Sequence, residues 1–333
     1  TAAMNLETDP ELSLLLATES VRIMSEANAT VLPLSNSVLR QSIIKSKVRL
    51  TLTGHDGGVR SVAYSPDGQR IVTASFDQTA KVWEAQTGKE LLTLTGHKGI
   101  VRSAVYSADG QRIVTASFDQ TAKVWNAETG TELLTLTGHD SWVWSAAYSP
   151  DGRRIVTASE DKTAKVWNAE AGTELITLTG HDGGVRSVAY SPDGQRIVTA
   201  SFDQTAKVWE AQTGKELLTL TGHKGIVRSA VYSADGQRIV TASFDQTAKV
   251  WNAETGTELL TLAGHDGWVW SVAYSPDGQR IVTASRDKTA KVWEANTGTE
   301  LLTLTGHNGV VFSAAYSPDG QRIVTAGADR IVQ

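Results

Sequence analysis

Seven histidines, His55, His97, His139, His181, His223, His265 and His307, stand 42 residues apart, and each follows a glycine. An aspartate lies 22 residues after each of them, from Asp77 in the first copy to Asp329 in the last. A histidine with a carboxylate and a hydroxyl within reach is the raw material of a general-base relay. Seven equivalent copies point elsewhere. Catalysis needs one such constellation, whereas self-similarity at a fixed period of roughly 20 to 50 residues marks a repeat architecture. The histidines are therefore read as structural, and no catalytic residue is assigned.

Other chemistry is equally thin. The chain has no cysteine, so thiolate metal sites and disulfides are excluded. With the histidines committed, a metal would have only carboxylates, and these recur at turns, where Asx-type turn bonding explains them. No metal and no cofactor is expected. Thr87-Gly88-Lys89-Glu90 lacks the glycine spacing and the hydroxyl residue of a phosphate loop.

The elements that carry these residues follow from one repeat. Val59 to Tyr64 is β-rich and ends at the turn tetrad Ser65-Pro66-Asp67-Gly68. Arg70 to Ser75 is a second strand, Thr79 to Glu84 a third and Glu90 to Thr95 a fourth, with turns at Asp77-Gln78 and Gln86-Thr87-Gly88. Four strands leave no room for a helix. One four-stranded sheet cannot bury both of its faces, so copies must stack, and radial repetition into a propeller leaves only short edges.

Gly-His, an Asp 22 residues on and a Trp six after that, in register over residues 48 to 333, resembles the WD-repeat family of β-propellers. The resemblance implies an all-β fold: a seven-bladed β-propeller of four-stranded antiparallel blades. It also implies a hydrogen-bonded tetrad in each repeat. The first three are His55, Thr73, Asp77 and Trp83; His97, Thr115, Asp119 and Trp125; and His139, Thr157, Asp161 and Trp167. The next three are His181, Thr199, Asp203 and Trp209; His223, Thr241, Asp245 and Trp251; and His265, Thr283, Asp287 and Trp293. Where the family has Asp after the Trp, this chain has Glu84, Asn126, Asn168, Glu210, Asn252 and Glu294, at a position that is usually exposed.

The seventh copy stops short of its Trp, at Ile331-Val332-Gln333. The segment Val48-Arg49-Leu50-Thr51-Leu52-Thr53 matches the fourth-strand sequence Glu90-Leu91-Leu92-Thr93-Leu94-Thr95. Residues 48–53 are thus expected to supply the outer strand of blade seven and to remove an open edge. Residues 180–262 repeat residues 54–136 without a difference, an offset of three blades, which reads as a recent duplication. Residues 1–47 lie outside the repeat. Asp9-Pro10-Glu11 starts a helix, Leu12, Leu15, Leu16 and Ile23 continue it, and Ser35-Asn36 caps a second. This short N-terminal helical linker or hairpin is similar to the stretch joining upstream modules to propellers in bacterial signalling proteins, especially NLR-like signal-transduction ATPases.

No apolar run approaches a membrane span and no secretory signal is present, so a cytoplasmic protein is expected. The chain is read as a piece of a longer one with upstream domains.

Binding residues are sought where the repeats differ, because the scaffold does not dictate those positions. In similar propellers the top face is built from the third and fifth positions after the histidine and from the one before the tetrad Asp. The fifth carries Arg60, Arg102, Trp144, Arg186, Arg228, Trp270 and Phe312. The third adds Trp142 and Trp268, and the position before the Asp adds Phe76, Phe118, Glu160, Phe202, Phe244 and Arg286. Trp, Phe and Arg are the residues of binding hot spots. The expectation is a non-enzymatic platform that grips a protein or peptide partner, a sensor or scaffold module. The alternative is a polyanion or phosphate ligand held by the arginine ring, although a net charge of −5 argues against generic nucleic-acid binding.

Overall fold

The turn chemistry of each repeat is followed closely in a computed structural model, which describes Val48 and residues 50–333. In the first repeat β1 (Val59–Tyr64) and β2 (Arg70–Ser75) flank the Ser65-Pro66-Asp67-Gly68 turn. Ser65 Oγ donates to Asp67 Oδ1 over 2.5 Å, and the Gly68 amide donates to Ser65 O over 2.9 Å. Gly68 sits at φ 70°, in the left-handed region that a Cβ disfavours. β3 (Ala80–Glu84) and β4 (Glu90–Leu94) complete an antiparallel sheet in the order β1-β2-β3-β4.

Burial follows position in that order. β2 reads Arg-Ile-Val-Thr-Ala-Ser and is buried on both faces after its first residue, as a central strand between two neighbouring sheets must be. β4 at the outer edge keeps only Leu94 fully covered. The cores lie between sheets: Val72, Ala74, Val82 and Leu94 of the first repeat pack on Val101, Ala104, Ile113 and Trp125 of the second. Fully burying each aliphatic side chain stabilises by about 1.5–3 kcal/mol, so no sheet is stable without its neighbours. Polar links cross the same junctions, as where Arg70 Nη1 donates to Ala127 O over 3.1 Å.

The expected seven four-stranded blades are corrected to six. The seventh sheet has only two strands, Val311–Tyr316 and Ile323–Gly327. The reason is material: after Asp329 the sequence supplies only Arg330 to Gln333, which lie beside the second strand through the reciprocal Thr325–Gln333 bonds, Gly327 N to Ile331 O and a bridge between Ala326 and Val332, but are too few for a third strand. Among the described residues of 48–53, Leu52 pairs with Val332. The Leu52 amide donates to Val332 O over 2.9 Å, in the register that Leu94 takes opposite Ala80.

Leu52 and Val332 join Val59, Val62, Trp83 and Val324 in one apolar cluster. The short sheet therefore still stands between its neighbours: Val311–Tyr316 packs against β1 on one side and Val269–Tyr274 on the other. This architecture belongs to the unit formed by Leu50–Leu301 and Thr305–Gln333. The helical segment expected over residues 1–47 lies outside the described residues, and the described residues contain no helix. None is therefore long and apolar enough to cross a membrane.

Candidate partner-binding face

A defect in the inner strand places the variable residues. Val59 pairs with Ser75 and Ser61 with Ala74, so Arg60 between them has no partner in the register. The same slip recurs at Arg102, Trp144, Arg186, Arg228, Trp270 and Phe312. A β-bulge of this kind bends the strand and re-aims one side chain. All seven residues of the fifth position are thus turned out of the alternating pattern, at the end of the blades that carries the Gly-His turns. A trace of this is legible in the sequence: Val59 and Val62 are both buried three residues apart, which a regular strand of period two cannot do.

The tetrads stand beside the bulges and hold that end rigid. In the first, Trp83 Nε1 donates to Thr73 Oγ1 (2.9 Å), Thr73 Oγ1 meets His55 Nε2 (2.7 Å), and His55 Nδ1 meets Asp77 Oδ2 (2.6 Å). Because the carboxylate only accepts, Nδ1 carries the proton and Nε2 accepts from the threonine hydroxyl. The Thr79 amide and hydroxyl and the Asp56 amide complete the carboxylate shell. Burial alone would raise the Asp77 carboxyl, but the hydrogen bonds from His55 and Thr79 outweigh it and hold it far below the usual range.

The second to sixth repeats bring their four residues together in the same way, with each Trp indole within 2.8 Å of its Thr. The seventh has His307, Thr325 and Asp329 with no Trp, and the His–Asp distance lengthens to 2.9 Å. Imidazoles this committed leave no free base. Among the described residues no cluster of His, Asp or Glu could hold a metal.

Around the channel mouth the arginines do not form an even ring. Arg186 is sandwiched between Trp144 and Phe202, its guanidinium carbon 3.4 Å and 3.3 Å from the two ring centroids. Glu160 ties this group together, accepting from Trp144 Nε1 over 2.7 Å and lying 3.4 Å from Arg186 Nη2. Arg60 is sandwiched between Phe76 (3.9 Å) and Phe312 (3.7 Å), and no carboxylate among the described residues pairs with it. Arg102 and Arg228 do not stack on Phe118 and Phe244, so four equivalent Arg–Phe pairs do not exist. They turn inward instead: Arg102 Nη1 donates to Arg60 O and Arg228 Nη1 to Arg186 O.

The phenyl rings released by Arg102 and Arg228 have other partners. Phe118 stacks on Trp142 of the next repeat, centroids 4.6 Å apart and planes within 10°. Phe244 stacks on Trp268 at 4.5 Å and 11°. Trp142 is 46% exposed and Trp268 37% exposed, whereas Trp144 and Trp270 are half-buried beneath them. Arg286 reaches out over the Trp268 ring at 4.4 Å. The opposite end of the inner strands is different in kind. There a cavity of about 390 Å³ is lined by Tyr106, Tyr148, Tyr190, Tyr232, prolines and small residues, without a charged side chain.

The family model for the WD domain, G-beta repeat, matches seven consecutive segments, residues 46–84, 88–126, 130–168, 172–210, 214–252, 256–294 and 298–333. The chain belongs to the WD40 repeat family. WD40 propellers act as protein-interaction scaffolds and are generally non-catalytic. Similar stretches occur in ribosome assembly protein 4 of Saccharomyces cerevisiae, 53% identical over 38 residues, 11% of this chain and 7% of that protein. A vegetative incompatibility protein of Podospora anserina is 50% identical over 38 residues, 11% of this chain and 3% of its own length. The guanine nucleotide-binding protein subunit beta of Oryza sativa is 42% identical over 48 residues, 14% and 13% of the two chains. Each match thus spans about one repeat and a small part of the relative.

Proposed function

We propose that this WD40 propeller is a protein-binding platform whose contact surface is the bulge-bearing top face. The observation that carries the reading is the pair of exposed tryptophans, Trp142 and Trp268, each held flat against a phenylalanine. A large aromatic that is both exposed and already ordered loses little side-chain entropy on contact, which is the property of a binding anchor. Glu160 and Arg286, at equivalent places beside the two pairs, make the halves electrostatically different, one closed by the Glu160–Arg186 pair and the other carrying an added cation, and so offer a means of orienting one partner across the face.

We also read the propeller as the recognition module of a larger signalling chain of bacterial type. The resemblance of residues 1–47 to the stretch that joins upstream modules to propellers in such proteins is what suggests it, and a phosphate-loop ATPase encoded upstream in the full reading frame would test it. Binding of an extended polyanion has less support, because Arg102, Arg186 and Arg228 are buried beside aromatic rings and offer it no open row of charge.

The test of the platform is capture from a lysate of the source cells by the wild-type chain and by the Trp142→Ala, Trp268→Ala double variant. Both residues are exposed, so the variant should keep the wild-type thermal midpoint while losing one or more proteins that the wild type retains. Identical captured sets would remove the aromatic pairs from the account.

A further inference from the structure

Four guanidiniums converge on the channel mouth, and one carboxylate answers them. Arg228 lies 5.5 Å from the ring of Trp144 and 5.5 Å from that of Trp270, Arg102 lies 5.5 Å from Trp144, and Arg60 lies 5.7 Å from Trp270. Glu160 neutralises Arg186 alone. Arg102 and Arg228 are more than nine-tenths buried, and each has one backbone carbonyl as its polar partner. Rings on either side supply cation–π attraction, but a ring is not a counter-ion.

Buried charges in folded proteins are paired, and an unpaired one is costly. Burial, with the charge of Arg60 adding to it, pushes the Arg228 guanidinium down to about 9, and burial takes Arg60 to about 10. Three donors at the same place are buried with no hydrogen-bond partner among the described residues, Arg60 Nε, Trp270 Nε1 and Arg186 Nε, the last on the arginine that Glu160 neutralises. At Arg60 an unpaired charge and an unused donor coincide, and Trp270 adds a neutral donor beside it.

We propose that the channel mouth is a receptor for one compact oxyanion, a carboxylate or a phosphate group, gathered by Arg60, Arg102 and Arg228 with the Trp270 indole N–H. Arg60, the half-buried member, forms the lip through which the anion enters. Arg186 takes no part, since Glu160 already occupies it. The site is independent of whatever the exposed Trp142 and Trp268 pairs grip, and either can fail without the other.

The experiment uses the whole chain. Its thermal midpoint is followed against sodium phosphate, sodium acetate and sodium chloride at matched ionic strength and neutral pH. A saturable rise of several degrees in phosphate or acetate beyond that in chloride is expected. A tenfold preference for phosphate assigns the site to a phosphate ligand, and equal or better response to acetate assigns it to an acidic side chain of a partner; both support the receptor. Arg228→Met should abolish the rise while keeping, or raising, the midpoint in chloride, because it removes a charge that nothing neutralises. If that variant does not fold, Arg60→Gln at the lip gives the same readout. A wild-type midpoint that follows ionic strength alone overturns the proposal, as does a rise that survives both substitutions.

Discussion

Trp144 donates its indole N–H to Glu160 Oε2 over 2.7 Å. At the equivalent place 126 residues on, Trp270 has the same group buried without a partner among the described residues, because Arg286 stands where Glu160 would be. The two triple-repeat halves are therefore alike in backbone and unlike in polar satisfaction at the proposed binding face.

Replacing each of these tryptophans by phenylalanine isolates that difference. Both substitutions lose a similar volume, but Trp144→Phe also strips a charged acceptor of its shortest hydrogen bond, a loss of about 1–3 kcal/mol. Trp270→Phe removes a donor that has no acceptor among the described residues. Chemical denaturation should show Trp144→Phe the less stable of the two by at least about 1 kcal/mol. Equal midpoints would mean that Glu160 contributes nothing to the fold.

The tetrads set a second expectation. Asp119→Ala leaves His97 Nδ1 and the Lys98 and Thr121 amides without their common acceptor. The cost should be about 1–3 kcal/mol, read as a lower denaturation midpoint. An unchanged midpoint would show that the carboxylate is structurally idle.

Acid should act through the same residues. Asp77, Asp119, Asp161, Asp203, Asp245 and Asp287 are held below the ordinary carboxylate value, despite burial that opposes it, chiefly by hydrogen bonds from their histidines and threonines. A carboxyl whose folded value is depressed stabilises the fold fully above its unfolded value of about 4 and loses that contribution as pH falls further. Stability should therefore decline modestly once pH falls below about 6.5, because burial holds His265 below its ordinary value, and should fall much further beneath about 4, where the six carboxylates lose their contribution. A circular dichroism titration with its main transition near the histidine range would contradict this.

Leu52 offers a fourth test. It is 3% exposed, bridges Val332 and packs with Trp83 and Val324 in the cluster that joins the first sheet to the two-stranded one. Leu52→Ala should cost about 2–5 kcal/mol and promote aggregation, because an opened seam exposes strand edges. Leu91→Ala on the outer edge, where the side chain is 39% exposed, should change the midpoint little. If both variants behave alike, the seam does not depend on that contact.

Much of the molecule is written locally. The 42-residue period, the Ser-Pro-Asp-Gly turn and the β-rich runs specify a four-stranded sheet wherever a repeat is complete, because turn geometry and strand formation depend on neighbours in sequence. The Gly-His, Thr, Asp and Trp spacing likewise names the residues of each tetrad, since all four fall within one repeat. Closure is not local: it rests on Leu52 meeting Val332 across almost the whole chain, and strand similarity over residues 48–53 did not reveal that, among the described residues, only one pair would form.

The binding face is less local still. Residues 54–136 and 180–262 are identical, yet Arg60 lies between Phe76 and Phe312 without a counter-ion among the described residues, while Arg186 lies between Phe202 and Trp144 with Glu160 beside it. Identical sequence fixes the strand, the bulge and the rotamers open to each arginine. The partner each one meets comes from the preceding blade, and that is decided only when the sheets are packed side by side.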